Sequence, residues 1–133
     1  MATIRKVMIV NASPEAVWGV YRDVGALHTR LVPGFVTNTV LEEGSRLVTF
    51  GNGMTVRERI VSVDDSLRRL VYSATGGRAT HHNASVQVCQ EEGDRSRVEW
   101  VVDLLPDEVA SAVDGMMNQA VAVMQRTLDA LPR

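Results

Sequence analysis

Cysteine is almost missing from this chain. Cys89 is the only one, so no internal disulfide can form, and no cysteine–histidine spacing suits a zinc ion. Nothing around Cys89 resembles an activating partner, so it reads as a small half-buried strand residue rather than a nucleophile. Lysine is as scarce: Lys6 stands alone, and the remaining basic residues are arginines. The longest basic run is Arg68-Arg69, and 16 acidic against 14 basic residues leave a formal net charge of -2. That balance argues against an electrostatic footprint for nucleic acid or an anionic membrane. No segment approaches the roughly 20 apolar residues that span a bilayer. The opening Met1-Ala2-Thr3-Ile4-Arg5-Lys6 lacks the apolar stretch of a signal peptide. The expectation is a soluble, cytoplasmic protein, monomer or homodimer.

What is present suits a globular fold. The 133 residues are 45% hydrophobic and 23% charged, without repeats, linkers or biased tracts, so residues 1–133 read as a single domain. A first strand is expected at about 3–11. Ser13 then offers a helix cap, Pro14 suits the first helical position, and Glu15 complements the dipole. Val17, Val20, Tyr21 and Val24 follow at helical spacing until Gly25, and a second short helical turn carries Leu27, His28 and Leu31 up to Pro33-Gly34.

From Phe35 the period becomes two. Strands are expected at about 35–43, 46–51, 54–64, 68–75, 79–91 and 95–105, separated by glycine- and aspartate-rich turns short enough for antiparallel hairpins. Gly51-Asn52-Gly53 joins two strands and precedes no helix, so it is a turn and not a phosphate cradle. A last helix is expected at about 107–131, with Val109, Val113, Met116, Ala120, Met124, Leu128 and Leu131 on one stripe and Ala112, Met117 and Val121 beside it. The order predicts an α+β fold: a curved antiparallel sheet of about seven strands around one long C-terminal helix, with two short helices after the first strand. Gly115 and the methionines at 116, 117 and 124 fit an adaptable surface between sheet and helix, and equally plain core packing.

Several segments carry a resemblance. They are Ser13-Pro14-Glu15-Ala16-Val17-Trp18, Asp23 with Leu27, and Arg46 before Asn52-Gly53. Further on come Val56-Arg57-Glu58-Arg59-Ile60 ending in Asp64, Arg69-Leu70-Val71-Tyr72-Ser73, and Val98-Glu99-Trp100 leading to Pro106. Together they resemble the polyketide cyclase/START-like (SRPBCC) superfamily over almost the whole chain. The resemblance implies the helix-grip fold and a cavity for lipids, hormones or polyketides. Some members of that superfamily are aromatase/cyclases, others dehydratases or hydrolases, and many bacterial members have no known activity.

The two-residue period sorts the polar candidates. His81 and His82 are adjacent in a strand and point to opposite faces, so they cannot jointly chelate a metal. His82 shares the apolar face of Ala84, Val86 and Val88. Glu58 falls between Val56 and Ile60 on the inward face, where a carboxylate must find a partner or give up its charge; Arg46 is one candidate partner, and a ligand anchor or an acid–base role is the alternative. Tyr72 and Trp100 also face inward, and His28 is expected at the cavity mouth. The candidate cavity set is thus His28, Arg46, Glu58, Tyr72, His82, Trp100, Met117 and Met124, with His82, Glu58 and Tyr72 as acid–base candidates. No metal and no cofactor is expected. Three functions remain open at this point. One is binding of a small hydrophobic molecule, lipid-, polyketide- or aromatic-like. Another is a cyclase- or dehydratase-like lyase or isomerase. The last is a non-catalytic partner-binding protein with a filled core.

Overall fold

The computed structural model describes residues 1–132. Strand β1 (Ala2–Val10) buries Met8 and Val10 and turns Val7 and Ile9 outward, as alternation requires. The Ser13 hydroxyl then accepts the Ala16 backbone N–H at 3.2 Å, and helix α1 (Pro14–Arg22) starts on Pro14. It buries Val17, Trp18, Val20 and Tyr21. The helix ends at Arg22, before Gly25, so Val24 leaves the expected stripe. Residues Val24–Ala26 form a tight 3-10 turn, followed by one π-helical turn, Leu27–Leu31.

Six further strands follow: β2 (Val36–Glu42), β3 (Ser45–Phe50), β4 (Thr55–Asp64), β5 (Arg69–Thr75), β6 (His81–Glu91) and β7 (Arg95–Leu105). Every pairing is antiparallel, in the order β1-β7-β6-β5-β4-β3-β2, giving one seven-stranded sheet. Strand β6 starts at His81 rather than at residue 79, leaving residues 76–80 as a connecting loop. Register shifts interrupt β2 between Val36 and Asn38 and β4 between Ile60 and Ser62. Such bulges bend a strand and raise its twist, which helps this sheet curve.

The chain closes with a 3-10 turn, Asp107–Val109, and helix α2 (Ala110–Asp129). At 1.5 Å per residue α2 is about 30 Å long, a little shorter than its sequence pattern predicts. Its buried stripe runs through Met117, Ala120, Met124 and Leu128, while Met116 is only half-buried and Ala112 is exposed. The stripe faces the inner side of the sheet, where Val10, Val48, Leu70, Ala84, Val98, Val102 and Leu104 complete the core. Among the described residues, no helix is long and apolar enough to cross a membrane.

Candidate functional site

Between the sheet, α2 and the π-helical turn the core does not close. A cavity of about 350 Å³ remains, lined mainly by apolar side chains, among them Leu27, Leu31, Val36, Leu70, Val86, Val113, Met117 and Met124. Of the three readings the sequence left open, the one with a filled core does not account for this void. On the α2 side its lining is small Ala120 and flexible methionines, among them Met117 and Met124.

Polar groups enter the cavity from neighbouring strands. Arg46 on β3 lies directly across from Glu58 on β4, and its Nε donates to Glu58 Oε1 at 2.8 Å. Both residues are buried, 4% and 8% exposed. The β4 bulge begins after Ile60, so the alternation that turns Glu58 inward and Arg57 and Arg59 outward survives up to that point. Arg46 Nη1 also donates to the Val24 carbonyl at 3.2 Å, tying the cavity pair to the 3-10 turn. The guanidinium carbon lies 5.2 Å from the centroid of the Tyr72 ring, within cation–π range.

The Tyr72 hydroxyl accepts the Trp100 indole N–H at 3.2 Å. Burial raises the Tyr72 pKa, and the charge of Glu58 raises it further, against the opposing pull of Arg46 and the Trp100 hydrogen bond. Tyr21 on α1 donates to Met124 Sδ at 3.4 Å, and burial, helped by Tyr72, likewise keeps its hydroxyl protonated. His82 is half-buried in the wall. Burial lowers its pKa, and the Glu58 charge opposes that shift without overcoming it. The ring is therefore neutral at pH 7, and its Nδ1 is buried with no partner beyond the residue's own backbone.

Seven of the eight residues singled out in the sequence line this cavity: Arg46, Glu58, Tyr72, His82, Trp100, Met117 and Met124. His28 does not. Leu27 and Leu31 from the same π-helical turn line it, and His28 Nδ1 is buried with no hydrogen-bond partner. His81 faces outward and meets Asn83 Oδ1 at 2.7 Å. No cluster of three His, Cys, Asp or Glu among the described residues is arranged to hold a metal ion.

The lining also includes Tyr21, Asp23, Phe35, Phe50 and Arg78, which sequence reasoning did not assign to it. Tyr21 lay in the expected α1 stripe, so its inward direction was available there. Arg78 sits in a loop without periodicity, and nothing local aims its side chain. Phe35 and Phe50 meet edge to face, ring centroids 5.7 Å apart, on the β2–β3 side of the cavity.

The family model described as polyketide cyclase / dehydrase and lipid transport matches residues 1–133. No curated protein matches the sequence. Among solved structures, the chain is similar to an uncharacterised protein from Bacillus thuringiensis. That pair shares 24% identity over 96% of this chain and 98% of the other, with a TM-score of 0.85. A protein from Thermobifida fusca shares 28% identity over 97% and 91% of the two chains, with a TM-score of 0.79. A point mutant of norcoclaurine synthase from Thalictrum flavum, in complex with a transition-state analogue, shares 20% identity over 96% and 93%, with a TM-score of 0.71.

Proposed function

The chain belongs to the polyketide cyclase / dehydrase and lipid transport family, and from that premise we propose that it acts as one domain binding a small, largely hydrophobic molecule in its central cavity. The observation that carries this reading is the void itself. Protein interiors are close-packed and rarely leave spaces much larger than a water molecule, yet about 350 Å³ stays open here. An apolar cavity of roughly 150 Å³ accommodates one benzene ring. This volume therefore suits two or three fused rings or a medium-length acyl chain. A few polar groups on an otherwise apolar wall are the usual composition of a small-molecule site. Here Arg46, Glu58, Tyr72 and Trp100 hold one another in place and so present a fixed polar rim against which a ligand can orient.

A second reading rests on His82. A neutral imidazole in the cavity wall can take a proton from a carbonyl-bearing substrate, and Tyr72, which burial keeps protonated, can hydrogen-bond the substrate's carbonyl oxygen. This would make the protein a lyase or isomerase of the cyclase/dehydratase type. The likeness to norcoclaurine synthase is one of fold and does not transfer its chemistry. Binding ranks first because Glu58 is already paired with Arg46 and is not free to move a proton.

Native mass spectrometry of the freshly purified protein, compared with its denatured mass, tests the binding reading. The expected result is a discrete organic adduct. If the protein arrives empty, apolar bicyclic probes should raise its melting temperature, since a ligand at 100 times its Kd stabilises the folded state by about 2.7 kcal/mol. A bare mass together with no thermal shift from any apolar probe overturns it.

A further inference from the structure

Four charged side chains line the cavity: Asp23, Arg46, Glu58 and Arg78. Three of them are neutralised inside the protein. Arg46 and Glu58 pair with each other at 2.8 Å, and Asp23 takes the Arg30 guanidinium at 2.8 Å. Arg78 makes no ion pair among the described residues. His82 adds no charge at neutral pH, because burial lowers its pKa. The wall of an apolar cavity thus carries one uncompensated positive charge.

The position of that charge matters as much as its sign. Arg78 sits in the loop between β5 and β6, next to Gly77 and Ala79, which also line the cavity. Its side chain is exposed, whereas Arg46 is buried and already used. The loop turns on Gly76, whose φ of +101° is a conformation that side chains rarely adopt. At its far end the Thr80 N–H donates to the Leu105 carbonyl at 2.8 Å. Arg78 therefore stands at the rim, exposed to solvent and part of the cavity lining.

Resting on the cavity-binding reading, we propose that the occupant is an amphiphile with a single carboxylate, its apolar body inside the cavity and its carboxylate on the Arg78 guanidinium. A guanidinium meets a carboxylate through two parallel N–H···O bonds. One unpaired cation balances one negative charge, so a monoanion fits this site and a phosphate monoester dianion would remain half-compensated. A neutral apolar ligand would fill the same volume and leave Arg78 to water.

The test compares 2-naphthylacetate with 2-(2-naphthyl)ethanol, two probes of nearly equal size, by isothermal titration calorimetry at low salt. The unmodified protein is measured beside Arg78→Gln, Arg78→Lys and Arg126→Gln, the last an exposed charge outside the cavity that controls for net charge. The unmodified protein and Arg126→Gln should bind the acid roughly tenfold more tightly than the alcohol, the scale of one charge-assisted contact. Arg78→Gln should lose that preference with its affinity for the alcohol unchanged, and Arg78→Lys should retain part of it. Equal binding of acid and alcohol by the unmodified protein, or a preference that persists in Arg78→Gln, overturns the role of Arg78 and leaves the cavity reading standing. Failure of all four proteins to bind either probe overturns the cavity reading for ligands of this size, and the carboxylate inference with it.

Discussion

Arg46 and Glu58 face each other across β3 and β4 at 2.8 Å, with side chains only 5% and 10% exposed. Two charges so far from water hold each other in place: each is tolerated in the core because the other is there. Arg46 also reaches the Val24 carbonyl, so the pair fastens the turn that covers the cavity.

Removing one member should therefore cost more than removing both. Glu58→Gln leaves a buried guanidinium uncompensated and should destabilise the fold by about 3–5 kcal/mol. The double change Arg46→Met with Glu58→Leu should come close to the unmodified stability. Urea denaturation of the three variants checks this. A Glu58→Gln protein as stable as the parent would mean that the pair is open to water.

Filling the void should separate binding from folding. Ala120 lines the cavity from α2 and is buried. In a filled core, Ala120→Leu would cost roughly 1–3 kcal/mol through overpacking. Here the added atoms enter empty space, so stability should hold or rise while affinity for a bicyclic probe falls at least tenfold. Thermal denaturation with and without the probe reads both effects, and a loss of stability with unchanged affinity would place the void elsewhere.

His82 should make the protein lose stability in mild acid. Burial lowers its pKa below the ordinary 6.5, so on acidification the unfolded chain takes up this proton first. Between 6.5 and the lower folded pKa the unfolded state binds more protons, and stability falls with falling pH. Below the folded pKa both states are protonated and the loss stops growing. Asp64 and Asp65, whose carboxyls hydrogen bonds hold below their ordinary 3.8, contribute their own loss only at lower pH. In His82→Asn the slope just below pH 6.5 should flatten, as followed by urea midpoints at several pH values. A slope identical to the parent's would assign the effect to another group.

Glycine should be irreplaceable at one hairpin and replaceable at another contact. A Cβ on Gly51 would lie 2.8 Å from the Gly34 carbonyl oxygen, which is backbone and cannot step aside. The Gly51 N–H also donates to the Phe35 carbonyl at 2.9 Å, joining the β3–β4 turn to the segment before β2. A Cβ on Gly25 would meet Leu41 Cδ1 at the same distance, but that is the end of an exposed, flexible side chain. Gly51→Ala should cost about 1–3 kcal/mol, and Gly25→Ala a good deal less. Comparing the two melting temperatures decides it, and a reversed order would contradict the turn packing.

Alternation and helical spacing are local, so they were legible in the chain. They located all seven strands within a few residues, the capped start of α1 at Ser13, and the inward direction of Glu58, Tyr72, His82 and Trp100. Ends were less legible: α1 stops at Arg22 because the chain tightens into 3-10 and π turns that no hydrophobic period announces. For the same reason the direction of the side chains in that segment, His28 among them, was not legible from spacing.

What the amino-acid order determined by itself was which face most strand side chains take and that a long amphipathic helix must lie on a curved sheet. The sequence offered Arg46 as a partner for Glu58, but tertiary structure decided that it stands directly opposite, because strand register depends on turn geometry and on where a bulge falls. It alone left about 350 Å³ unfilled, since a void depends on the distance between sheet and helix and not on the hydrophobicity of either. And it alone placed Arg78 on the cavity rim, where a loop without periodicity is positioned by the strands it joins.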